Sequence, residues 1–206
     1  MRIAILTISD AGARGERADA SGDAVAAWAE TIGATVAERA LVPDETLAIA
    51  RRIMTWCDAD VADVVLTTGG TGLAPRDVTP EATRAVLDRE APGLAELLRV
   101  SSMLTFPRAA LSRGVAGTRA RTLVVNLPGS TGGVRDALKA LQQVLAHAVD
   151  VLRDRPTDHS PGVSARPAAP TAPAAAPAAP APAGPSRGTP PTPITRPPRG
   201  KRPSRP

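Results

Sequence analysis

Aromatic side chains are almost missing from this chain: among 206 residues there is no tyrosine, one phenylalanine and two tryptophans. A surface for single-stranded nucleic acid normally stacks bases on several aromatic rings, so that function is set aside. A single cysteine, Cys57, excludes an intramolecular disulfide and any multi-cysteine metal site. Beside Trp56 at a helix end, it reads as a small buried hydrophobe. Trp28 and Trp56 read as core residues rather than a stacking platform. The only histidines, His147 and His159, have no partner at metal-ligand spacing and are read as non-catalytic. Long apolar runs are absent too. The N-terminal one stops at Asp10, too short for a secretory signal, and none could cross a bilayer, so a soluble cytoplasmic protein without membrane contact is expected. No glycine is followed by the Lys-Ser/Thr pair of a P-loop.

Proline is abundant but confined. Of 22 prolines, 16 lie from Pro156 onward, among repeated Ala-Pro and Arg-Pro units. Such a composition has too few apolar anchors to offset the entropy of ordering it, so residues 155–206 are expected to be a disordered Pro/Ala/Arg-rich tail and residues 1–154 the folded domain. Charge divides at the same boundary. Residues 1–154 hold 17 Lys and Arg against 19 Asp and Glu, whereas the remainder holds 8 against 1. The overall charge of +5 therefore describes the tail, which reads either as a solubilising extension or as a tether for an anionic partner. Dispersed Arg-Pro units carry no folded readout element, which argues against nucleic acid.

Three nearly continuous apolar runs, Ile3–Ile8, Val61–Thr67 and Thr122–Leu127, read as strands of a parallel sheet covered on both faces. A weaker strand is expected at Thr35–Val42, and an irregular or antiparallel excursion at Ala109–Arg119. Helices are expected over Asp23–Ile32, Glu45–Trp56, Glu81–Asp88 and Gly93–Leu104. A further helix, the last and the clearest, is expected where Val134, Leu138, Leu141, Leu145, Val149 and Leu152 recur at three- and four-residue steps. The alternation predicts a three-layer α/β/α domain with a mostly parallel sheet and ligands at the carboxyl ends of its strands.

Polar, glycine-bearing turns follow three of those strands: Ser9-Asp10-Ala11-Gly12, Thr68-Gly69-Gly70-Thr71-Gly72 and Pro128-Gly129-Ser130. Each could simply be a tight strand-to-helix turn. Converging on one edge, they would let backbone N–H groups approach a phosphate. In Arg76-Asp77-Val78-Thr79-Pro80-Glu81, Thr79 is expected to cap a helix beginning at Pro80. Asp77 then has no capping role. It either holds Mg²⁺ or faces a ligand donor, or else is an exposed acid paired with Arg76. Asp44 either caps the helix that follows it or meets a ligand, and Ser130 likewise either caps the last helix or binds ligand.

The glycine loop Thr67–Gly72, the block Arg76-Asp77-Val78-Thr79-Pro80-Glu81-Ala82-Thr83, Leu111-Ser112-Arg113 and Asn126-Leu127-Pro128-Gly129-Ser130 together resemble the Mog/MoaB family of molybdenum-cofactor biosynthesis. Ile8-Ser9-Asp10 and Val42-Pro43-Asp44-Glu45 match as well, and Thr131 departs from a proline found in many members. The resemblance covers residues 1–154 and implies the three-layer fold, commonly as a homotrimer. It also implies a molybdopterin adenylyltransferase that joins AMP from Mg-ATP to molybdopterin with release of pyrophosphate, ahead of hand-over to a molybdenum insertase. The alternative is a MoaB-type molybdopterin-binding scaffold without transfer. Asp44 and Asp77 match the acids with catalytic or substrate-binding roles. Thr68, Gly69, Gly70, Thr71 and Gly72 would hold nucleotide phosphate. Ser9, Asp10, Ser112, Asn126, Pro128, Gly129 and Ser130 would hold substrate. Asp77 is placed on the nucleotide and Mg²⁺ side, Asp44 on the side that orients the pterin. The attacking phosphate is already ionised, so positioning and charge neutralisation matter more than a strong base.

Overall fold

The structure is a computed structural model and describes residues 1–157. A six-stranded sheet forms its middle layer, in the order β2-β1-β3-β6-β5-β4. Strands β1 (Arg2–Ile8), β2 (Thr35–Val42), β3 (Val64–Thr68) and β6 (Thr122–Leu127) are parallel, and β5 (Ala116–Arg119) and the two-residue β4 (Arg89–Glu90) add an antiparallel edge. The helices are α1 (Asp10–Ala13, a single turn), α2 (Ala20–Thr31), α3 (Thr46–Asp58), α4 (Thr79–Arg84), α5 (Pro92–Met103) and α6 (Thr131–Leu152). A 3₁₀ turn covers Pro107–Leu111. The expected excursion over 109–119 thus resolves into this turn and the antiparallel strand β5.

The continuous apolar runs are explained by two cores, one on each sheet face. Ile3 and Ile5 of β1, Leu66 of β3 and Val125 of β6 pack with α2, α5 and α6; Ala4, Leu6 and Ile8, Val65 and Val124 pack with α3 and α4. Successive strand residues point to opposite faces, so a strand covered on both sides must be apolar at every position. Val134, Leu138, Leu141, Leu145 and Val149 of α6 are all buried on the first face, as their spacing predicts. Cys57 and Trp56 lie in the second core, while Trp28 is half-buried against the first and donates to Gln142 Oε1 at 3.3 Å. Burial pushes the Cys57 thiol up to about 12, in keeping with a packing role.

From β1 the chain goes to β2 on one side, and β3 then takes the place on the other. At such a reversal the loops leaving the carboxyl ends of β1 and β3 part, which opens a crevice between them. Among the described residues no helix is long and apolar enough to cross a membrane. His159 and the expected tail beyond Thr157 lie outside the described residues.

Candidate functional site

The three glycine-bearing turns do meet at the carboxyl edge. Gly69 (φ +101°) passes so close to the end of β1 that a Cβ there would lie 2.2 Å from the Ile8 carbonyl oxygen. A Cβ on Gly129 would lie 3.2 Å from Gly69 Cα, so the β3 and β6 turns touch backbone to backbone. Thr68 Oγ1 ties them by donating to Pro128 O at 2.7 Å. Gly70 (φ +61°) leaves its carbonyl to accept from Thr79 N at 3.1 Å.

This last contact corrects the expected cap. Thr79 is the first residue of α4 rather than its cap, and its hydroxyl donates to Gly69 O at 2.9 Å. It is fully buried beneath the loop, so a tertiary bond has displaced the local capping pattern.

The loop leaves a row of donors open. Among the described residues, the backbone N–H groups of Gly70, Thr71, Gly72 and Leu73 meet no acceptor, nor do those of Gly129 and Ser130. The first turn of the 22-residue α6 continues that second group. Successive free N–H groups beside a long helix N-terminus form a concavity suited to an anion.

Two acids and an arginine link the loops. Asp10 N donates to Asp44 Oδ2 at 2.8 Å, and Asp44 N donates back to Asp10 Oδ1 at 3.0 Å. Asp44 therefore joins the β1 and β2 loops. The cap position of α3 belongs to Glu45, without a side-chain bond, so the capping alternative for Asp44 is not realised. Arg76 grips Asp10 through Nε (3.0 Å) and Nη2 (2.7 Å), and is not the partner of Asp77. That guanidinium, aided by the Asp44 N–H, holds the Asp10 carboxyl below its ordinary range, while burial pushes Asp44 up. Asp77 Oδ2 accepts from Ala74 N at 2.8 Å, closing its own loop, and its Oδ1 accepts no hydrogen bond.

Two cavities open from this rim. The larger, about 670 Å³, has apolar walls from Leu98, Phe106 and Leu111; the smaller, about 460 Å³, is lined by Ser9, Arg17, Asp19 and Asp44. They share Gly70, Asp77, Gly129 and Ser130. Thr71, Gly72, Ser112, Asn126 and Pro128 face the larger only, and Gly69 the smaller only, whereas Thr68 and Asp10 line neither.

Hydrogen bonds within the protein set what each can still do. Asn126 is buried; Oδ1 accepts from Val115 N, and Nδ2 donates to Thr67 Oγ1 and Thr83 Oγ1. Both amide hydrogens are spent, so its main work is to pin β6 to β3 and α4. Ser130 Oγ accepts from Gly133 N at 3.2 Å as the cap of α6, and its hydroxyl hydrogen remains available. Ser9 Oγ accepts from Gly12 N at 3.1 Å, and Ser112 Oγ from Gly114 N at 3.3 Å.

Among the described residues no three His, Cys, Asp or Glu side chains gather as a metal cage. The open Asp77 Oδ1 suits Mg²⁺ held mainly by phosphate oxygens and water, its usual manner of binding beside nucleotides. Arg17, Asp19 and Phe106 escaped the sequence reading, and Arg113 entered it only within the Leu111-Ser112-Arg113 match, with no role of its own. Arg17 lies in a loop without periodicity, and Phe106 just before a 3₁₀ turn; of these three Asp19 alone carried a signal, as an acid before a helix whose Gly22 N–H it caps at 2.8 Å.

Residues 4–147 match the family model described as a probable molybdopterin binding domain. A molybdopterin adenylyltransferase of Helicobacter pylori is 37% identical over 154 residues, covering 74% of this chain and 88% of that protein. The molybdenum cofactor synthesis protein cinnamon of Drosophila melanogaster is 41% identical over 151 residues; the match covers 73% of this chain but a quarter (25%) of that protein. In three dimensions the molybdopterin biosynthesis enzyme MoaB of Thermus thermophilus superposes with a TM-score of 0.72 and 51% identity, over 76% of this chain and 99% of that one. The turns that touch at Gly69 and Gly129, the linked acids and the flanking cavities lie within the matched span, and the chain belongs to the Mog/MoaB family of molybdenum-cofactor biosynthesis proteins.

Proposed function

We propose that the protein is a molybdopterin adenylyltransferase. The observation that carries this reading is the meeting of two unlike cavities at Gly70, Asp77, Gly129 and Ser130. A transfer between two phosphate-bearing substrates needs two pockets with one shared anion-binding rim, and a scaffold for one ligand needs only one. The larger cavity, with Leu98 and Phe106, suits the adenine base and ribose of ATP. The smaller suits molybdopterin: the open Asp44 Oδ1 can accept the paired N–H donors of the aminopyrimidinone edge. Arg17 makes no ion pair among the described residues, so its charge is left for an anionic ligand.

In the step itself, an oxygen of the molybdopterin phosphate attacks the α-phosphorus of ATP, the bond to the β-phosphate oxygen breaks, and pyrophosphate leaves. The N–H groups of Gly70–Leu73 and of Gly129 and Ser130 would receive charge gathering on the α-phosphate, and the Ser130 hydroxyl can donate to it. Mg²⁺ would neutralise the nucleotide phosphates, and Asp77, whose Oδ1 accepts no hydrogen bond, would be the residue to hold it. Asp10 and Arg76 keep the loops in register without entering a cavity.

The test is to combine purified protein, Mg-ATP and molybdopterin and follow pyrophosphate and adenylated pterin. Both are expected in equal amounts, and Asp77→Ala should reduce turnover by about a hundredfold or more, the scale for losing one electrostatic contact to a transition state. Well-folded protein that binds molybdopterin yet forms no ATP-dependent product is instead the MoaB-type scaffold, a reading favoured by the 51% identity to a protein named MoaB. A homotrimer in the cytoplasm, passing its product to a molybdenum insertase, completes the proposal. Val100, Leu104 and Phe106 are exposed beside the larger cavity, and light scattering of the purified chain checks whether a second protomer covers them.

A further inference from the structure

Arg113 lines neither of the two cavities, yet it makes more hydrogen bonds to the glycine loop than any acid of the site. Its backbone N–H donates to Thr71 O at 2.9 Å and its Nε to Gly72 O at 2.7 Å. The rest of the guanidinium reaches Asp77 O and the Glu81 carboxylate of α4. One side chain therefore holds both ends of the segment from Gly72 to Asp77. Its own angle is fixed by Glu81, whose carboxyl it holds below the usual range.

The consequence follows from peptide geometry. In a trans peptide the N–H points opposite to the carbonyl it adjoins, and no peptide bond here is cis among the described residues. Drawing the Thr71 and Gly72 carbonyls toward Arg113 turns the N–H groups of Gly72 and Leu73 away from it. Those are two of the four consecutive N–H groups left without an acceptor, and Gly72 faces the larger cavity. Holding Asp77 O at the same time fixes the backbone from which the Asp77 carboxylate reaches both cavities. A planar fork of N–H donors can meet these separate acceptors together; a lysine ammonium on a flexible stem cannot hold the same geometry.

We propose that Arg113 is a positioning residue that sets the Gly70–Asp77 loop in its anion-accepting shape, and so determines affinity for the polyphosphate of the nucleotide without touching it. The proposal rests on the reading of this loop as a phosphate site. The Arg113 and Glu81 side chains are about a third and a half exposed, so a purely structural ion pair there would change neither folding nor affinity much.

The experiment is calorimetric titration of the full chain with inorganic triphosphate and with Mg-ATP, for wild type, Arg113→Lys and Arg113→Ala, alongside thermal melts. Arg113→Lys, which keeps the charge, should bind both ligands about tenfold more weakly while melting close to wild type, the scale of one lost charge-assisted hydrogen bond. Arg113→Ala should lose more, and added methylguanidinium should restore part of it. Glu81→Gln should move in the same direction by a smaller factor. Wild-type affinity in Arg113→Lys overturns the proposal, as does a folded Arg113→Ala whose affinity methylguanidinium leaves unchanged. If Arg113→Ala fails to fold, the lysine variant decides. Failure of wild type to bind triphosphate would instead remove the phosphate reading on which the proposal stands.

Discussion

Asp44 shows how a side chain can satisfy a local rule in sequence and a different partner in the fold. Its place after a strand and before a helix fits a cap as well as a ligand contact, but its Oδ2 accepts from the Asp10 N–H, 34 residues away. No spacing rule encodes a bond between two loops, which is why the Asp10–Asp44 exchange and the Arg76–Asp10 fork were not legible. Asp10 stood out beside a glycine-bearing turn, and Asp44 only through the Val42-Pro43-Asp44-Glu45 match to the family. Burial raises the Asp44 carboxyl, so its charged form opposes folding. The sign is that of a raised acid: the stability it contributes is present at low pH and lost as pH rises through its folded value. Asp44→Asn keeps an oxygen for the Asp10 N–H and removes the charge. At pH 7 it should melt at or slightly above wild type while its molybdopterin affinity falls about tenfold or more, as calorimetry would show.

At the scale of elements, β1, β3, β6 and α6 were legible because burial on both faces, or along one helical stripe, leaves an apolar pattern. Strand β4 was not, since two exposed residues paired with β5 carry no pattern. The start of α4 was misplaced because Thr79 Oγ1 answers to Gly69 rather than to its own helix. The glycine positions make the sharpest element-level prediction. Gly69→Ala puts a methyl 2.2 Å from the Ile8 carbonyl at φ +101°, where the backbone cannot move without parting β1 from β3. It should destabilise by about 2 kcal/mol or more, read from denaturant unfolding. Ser130→Ala removes the cap of α6 and should lower stability by about 1 kcal/mol. It also removes the hydroxyl proposed to meet phosphate, so kcat should fall more than the stability change explains.

Across the whole molecule the two ends of the sheet are specialised differently. The carboxyl edge carries open donors and half-buried carboxylates, whereas the amino edge is closed by ion pairs. Asp63, 3% exposed, accepts from Arg2 N at 2.7 Å and forms an ion pair with Arg153 Nη2 at 3.0 Å, joining β1, the start of β3 and the residue that ends α6. Burial alone would raise its carboxyl, but the Arg2 N–H and guanidinium together with Arg153 more than offset this and hold it low. A lowered acid contributes stability above its unfolded value, near 4, that is lost as pH falls through the folded one. Asp63→Ala should therefore destabilise by about 3 kcal/mol at pH 7, and the gap to wild type should narrow below pH 4 in thermal melts. The charge division was legible from residue counts alone, because it is a matter of composition, and the expected tail lies outside the described residues. The number of cavities was not, since it depends on how far α5 and the Pro107–Leu111 turn stand from the rim.

Adenylyl transfer here depends on two ligands meeting at that rim. A crystal of the protein with a non-hydrolysable ATP analogue, Mg²⁺ and molybdopterin tests this directly. The α-phosphate should lie against the Gly70–Gly72 and Gly129–Ser130 backbone, with the molybdopterin phosphate beside it and its pterin toward Asp44. Both ligands competing for one cavity, or phosphates seated away from Gly70 and Asp77, would contradict it.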